Sequence, residues 1–240
     1  GVHAKEEQIE ISEGVSVSGK IGATSVPHTR PVMCVGSSPL FSVTADVLLT
    51  VECITFTQTL PSTLSHSNLD EEPDVPPSPL HPASFIDASL GKLKLEWVSF
   101  EDITLSTDSL LAISTTSADS FIINTLTVTE DDEQEVAMKC EFLRITRQDG
   151  SGAVFDCLVG ESGYLSINNA KFDECKCTKD DSVSGAIHVT LSGEPTTLEL
   201  KNNKFVKCYY GGAESTNIRN LLLACVDADY LTADILQGTT

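Results

Sequence analysis

The sequence predicts an all-β chain wound as a right-handed parallel β-helix, a solenoid forming one domain over residues 1–240. Three observations predict it. The first is a repeat: Ser151-Gly152-Ala153-Val154 recurs 33 residues later as Ser184-Gly185-Ala186-Ile187. At the same offset Leu165, Ile167, Asn169, Phe172 and Cys175 recur as Leu198, Leu200, Asn202, Phe205 and Cys208. A period of roughly 20–50 residues marks a solenoid or array. The second is alternation, since Leu-x-Ile-x-Asn and Leu-x-Leu-x-Asn place apolar groups two residues apart, the period of a strand with one buried face. The third is a change of step. From Asn169 to Phe172 and from Phe172 to Cys175 the spacing is three, which implies corners between short strands.

Strands and corners at a fixed offset describe a coil that returns above its start, with equivalent strands paired in parallel about 4.8 Å apart. Parallel crossovers are almost always right-handed. A single coil would not fold alone. Each inward side chain contributes roughly 1.5–3 kcal/mol, whereas ordering the coil costs about 1 kcal/mol per residue in backbone entropy. Stacking is what makes the sum favourable.

In chain order, Ile9, Ile11, Val15, Val17 and Ile21 alternate with polar residues, so residues 1–35 read as a first coil or cap. The main motif then appears as Leu49, Val51, Cys53 and Phe56, and again as Leu93, Leu95, Trp97, Phe100 and Ile103. A blurred third copy is Val136, Met138, Cys140, Leu143 and Thr146, with Phe142 as the alternative to Leu143. The repeat pair follows, giving motif starts 44, 43, 29 and 33 residues apart. Loops at corners absorb such unevenness. Residues 61–82, with six prolines and Asp70-Glu71-Glu72, are expected to form an exposed loop. Phe121, Ile123, Leu126 and Val128 read as an additional strand. Tyr209 to Ala213 opens a further coil, Leu221 to Val226 is its next strand, and residues 214–240 form the last coil or a cap. The segment from Asp229 to Leu236 reads equally as strand or capping helix. The chain opens at Gly1 and carries no signal peptide or apolar run of spanning length, and is expected to be a piece of a longer polypeptide.

Composition narrows the partners. A net charge of −20 argues against nucleic acid and anionic membranes, leaving a membrane link only through an anchor outside this piece. Acidic clusters at 70–72, 130–133 and 180–181 lack the ordered spacing of a calcium loop and read as solvated surface that keeps strand edges from aggregating. No metal or cofactor is expected. Among eight cysteines, Cys175-Lys176-Cys177 is a Cys-x-Cys pair without accompanying histidines, so a zinc site is not indicated. Stacked Cys175 and Cys208 would hold their Cβ atoms near ~4.8 Å, wider than the ~3.8 Å of a disulfide, and read as thiols packed like small hydrophobes. Cys157, Cys177 and Cys225 are less constrained, and a bridge among them stays open. Asn169 and Asn202 read as stacked corner residues hydrogen-bonding each other and the backbone rather than as sugar ligands.

The alternation of Gly-Ala-Ile or Gly-Gly-Ala with Leu-x-Leu-x-Asn-x-x-Phe-x-x-Cys resembles the repeats of large surface proteins with a right-handed parallel β-helix, the pectin-lyase-like fold. It is similar to chlamydial polymorphic outer membrane proteins, and closer to giant surface repeat proteins of oxymonad flagellates, in which Phe-x-x-Cys replaces Phe-x-x-Asn. Gly152, Ala153, Phe172, Cys175, Gly185, Ala186, Ile187, Phe205, Cys208, Gly212 and Ala213 carry the resemblance, which covers residues 150–213 well and 40–145 loosely. It implies an extracellular or cell-surface, adhesin-like module without catalytic activity, binding a glycan or a surface protein by multivalent contact along a β-face. Parallel β-helices also carry polysaccharide lyases and glycoside hydrolases acting on acidic glycans, which is the alternative. The Gly-His-Gly and Arg-x-Lys of such hydrolases, which would accompany their paired Asp residues, are absent. Arg144 and Arg147 with Glu141 and Asp149 imitate a lyase only weakly, and His188 reads as an outward, solvent-exposed histidine.

Overall fold

The computed structural model describes residues 2–5, 9–18, 32–35, 40–58, 84–115, 121–124, 126–129, 135–192, 197–212, 215, 217 and 221–225. Among them all regular structure is strand, with no helix. Three stacks of parallel strands dominate, and the chain visits them in rotation.

The first sheet runs Val2–Lys5, Val32–Val35, Thr55–Thr57, Ser99–Leu105, Glu141–Arg147, Lys171–Asp173 and Lys204–Val206, with Lys176–Cys177 beside Glu141–Arg147. The second runs Ile9–Ile11, Phe41–Val43, Ile86–Ala88, Leu111–Thr115, Phe155–Val159, Ile187–Leu191 and Leu221–Cys225. The third runs Val15–Ser18, Leu48–Glu52, Lys92–Glu96, Phe121–Asn124, Tyr164–Asn168 and Thr197–Lys201. Strands of the N-terminal 35 residues thus belong to the same three stacks. The loop at 61–82, the acidic runs at 70–72 and 130–133 and the segment 229–236 lie outside the described residues.

Inward side chains form columns along the stacking direction. Phe56, Phe100, Phe142, Phe172 and Phe205 stack ring on ring, with centroids 5.0, 5.6, 4.9 and 4.7 Å apart. Those spacings follow the ~4.8 Å separation of the strands beneath them. Val51, Leu95, Ile123, Ile167 and Leu200 form a second column, all nearly inaccessible. Ile103, Ile145 and Cys175 line up after the phenylalanines, and Cys208 follows them.

The steps of three have a single physical cause. Cys53, Trp97, Asn169 and Asn202 at one corner have φ between 51° and 58°, and Asp102, Arg144, Glu174 and Lys207 in the first sheet have φ between 47° and 55°. One left-handed residue turns the chain and lets the next side chain face inward again. Non-glycine residues adopt this region at a cost of about 1–2 kcal/mol. The strain recurs at both places in successive coils, as at Asn169 and Glu174 and again at Asn202 and Lys207, because pairing with the neighbours fixes the backbone there.

The third copy of the motif differs from expectation. Phe121–Asn124, not the segment containing Val136 and Met138, is the strand stacked between Lys92–Glu96 and Tyr164–Asn168. Glu135–Met138 instead pairs antiparallel with Leu126–Thr129, which was expected to continue the Phe121 strand. This hairpin is inserted at the corner, and the coil resumes at Cys140. Phe142 and Ile145 fill the inward positions, not Leu143 and Thr146. As expected, Leu221–Cys225 is a strand of the next coil, paired in parallel with Ile187–Leu191.

Replacing Phe142 with alanine opens a hole in the middle of the ring column and should lower the unfolding free energy by about 3–5 kcal/mol. Lys207 already sits at positive φ, so Lys207→Gly, which relieves about 1–2 kcal/mol of left-handed strain against about 0.5–1 kcal/mol of added chain entropy, should raise stability slightly, whereas Lys207→Val, β-branched and disfavoured there, should lower it. Urea denaturation followed by circular dichroism measures all three.

Candidate functional site

The repeat residues occupy the places where coils meet. Leu165 lies beside Leu198, Ile167 beside Leu200 and Phe172 beside Phe205. Gly152 and Gly185 answer to different constraints. Gly152 has φ +68°, and a Cβ there would sit 2.2 Å from the Phe155 carbonyl oxygen. Gly185 has room for no side chain because the Cys208–Tyr209 backbone passes 2.7 Å from its Cβ position. The thiols follow a rule as well. Cys175 Sγ donates to the Phe142 carbonyl at 3.4 Å, and Cys208 Sγ to the Phe172 carbonyl at 3.8 Å. The Phe-x-x-Cys pattern thereby ties each coil to the previous one. Cys157, Cys175, Cys177 and Cys208 are buried thiols, not bridged.

Asn169 and Asn202 turn the corner through their backbone, and neither side chain makes a hydrogen bond among the described residues. Asn203 supplies the corner bonding instead: its Oδ1 accepts from the Ala170 N–H at 2.9 Å and its Nδ2 donates to the Ile167 carbonyl at 2.8 Å. It is 1% exposed, which the repeat pattern had no means of signalling.

A polar cleft among the described residues lies against the second sheet. It has a volume of about 290 Å³ and is lined by Ser84, Asp87, Ser89, Asp108, Ser109, Ala112, Ile113, Arg147 and Asp156. Asp87 Oδ1 accepts from the Ser89 N–H at 3.1 Å and from Ser89 Oγ at 2.7 Å. Arg147 stands in an inward column between Leu105 and Cys177. Its guanidinium reaches sideways, donating to the carbonyls of Thr107 at 2.7 Å, Ser151, and Gly152 at 3.3 Å. It also approaches Asp156 Oδ2 at 3.5 Å, while Asp156 Oδ1 lies 2.7 Å from His188 Nδ1.

Several expectations meet this geometry differently. His188 faces outward, but it is paired with Asp156 and its side chain is only 21% exposed. Arg144 and Arg147 do not share a site. Arg144 forms a two-pronged pair with Asp102, at 2.5 and 2.9 Å, which holds its guanidinium well above its ordinary pKa. Asp149 pairs with Lys179 at 2.7 Å, and that ammonium lowers the carboxyl pKa. In the cluster at 180–181, Asp181 is 3.6 Å from the same lysine. Among the described residues, no group of three or more His, Cys, Asp or Glu is spaced to hold a metal ion, and no helix is long and apolar enough to cross a membrane. Comparison with protein-family models, with curated proteins and with solved structures finds no match.

Ser84, Asp87, Asp108 and Asp156 belong to no motif. The sequence signal for part of the cleft is Arg147, a charge at a position where neighbouring coils carry Leu105 and Cys177.

Burial pushes the Cys177 thiol up to about 12 and raises Cys157 further. The unfolded chain gives up these protons near pH ~8.5, the folded chain only well above that. The stability gained by burying neutral thiols is therefore complete below that value and is lost as pH rises toward about 12. Urea midpoints should fall between pH 8.5 and 10.5 (a window about two units wide), and less steeply in Cys177→Ala.

Proposed function

We propose that this chain is a stretch of right-handed parallel β-helix serving as a non-catalytic rod in a secreted or surface-anchored, adhesin-like protein. It binds a glycan or a surface protein by contact along the outer face of the second sheet. The observation that carries this reading is the rotation of the chain through three parallel sheets, which repeats outward positions at intervals of one strand spacing. Ser42 and Asp87 are neighbours on that face, as are Asp156 and His188. A rigid array of this kind favours many weak contacts, whose combined avidity exceeds each single affinity by about 10²–10⁴. The resemblance of the Gly-Ala and Phe-x-x-Cys repeats to surface proteins supports the same reading and its extracellular location.

A second reading is an enzyme of acidic polysaccharides. The observation favouring it is the Asp156–His188 pair, since a carboxylate that orients an imidazole is a recurring arrangement for general bases. Against it stands the excess of carboxylates in the cleft, which repels a uronic-acid chain.

Glycan and surface-protein arrays probed with the purified chain test the first reading. Binding should rise at least about tenfold when a ligand is presented densely rather than singly, and polygalacturonate should release no reducing or unsaturated ends. Cleavage that disappears in both Asp156→Asn and His188→Gln would replace the rod with the enzyme.

A further inference from the structure

We draw no further inference here: the strongest candidate, the face of the corner hairpin of Leu126–Thr129 and Glu135–Met138 on which Leu126 pairs with Met138 and Val128 with Val136, carries none because nothing among the described residues shows what covers it.

Discussion

Backbone hydrogen bonding between coils, not within them, is the constraint on which the structure depends. At the corner before the second sheet, Ile9 donates to Leu40 at 2.8 Å, Leu40 to Phe85 at 2.9 Å, Phe85 to Leu110 at 2.8 Å, Leu110 to Ala153 at 3.0 Å, and Ala153 to Gly185 at 3.0 Å. At another corner Lys204 donates to Ala170, Lys171 to Cys140, Glu141 to Val98 and Ser99 to Ile54, each at 2.9 Å. Apart from local turns such as Val47 to Thr44 and Gly163 to Gly160, the strands find their backbone partners in neighbouring coils, and leaving those groups buried and unpaired would be costly. Register is therefore imposed from outside each coil. A slip of one residue would break these bonds and turn every phenylalanine of the ring column outward.

The same constraint explains the left-handed corners. Asn and Asp tolerate positive φ better than other residues, and Asn169, Asn202 and Asp102 fit that preference. Trp97, Arg144, Glu174 and Lys207 do not, yet adopt the same conformation. Neighbouring coils dictate the backbone there, and local preference yields. What the side chain contributes varies by coil: Trp97 is 5% exposed, while Arg144 pairs with Asp102 across adjacent coils.

This division sets what was legible in the amino-acid sequence. Alternation and the fixed offset announce the inward columns, because each inward position must be apolar in nearly every coil. They fail where the chain leaves the stack. The hairpin of Leu126–Thr129 and Glu135–Met138 carries its own alternation, so Val136 and Met138 imitate a stacked strand. Periodicity records that a residue alternates, not which partner it alternates beside. Asn203 was illegible for a related reason: its two bonds reach Ala170 and Ile167 in the preceding coil, a contact that no single-coil pattern encodes.

The cleft was illegible because it is built from departures from the repeat. Arg147 puts a charge into a column that holds Leu105 on one side and Cys177 on the other. A buried charge is tolerated only when paired and hydrogen-bonded, and here three carbonyls and Asp156 meet that demand. Those carbonyls belong to the turns before the second-sheet strands, so the guanidinium fixes the wall of the cleft while sitting in the core. Asp156, pulled toward Arg147, in turn orients His188 on the outer face. The departure in the core and the polar cluster outside are thus one connected feature. In a repeating coil, a polar exception that links core to surface marks a place where the repeat is broken rather than merely extended.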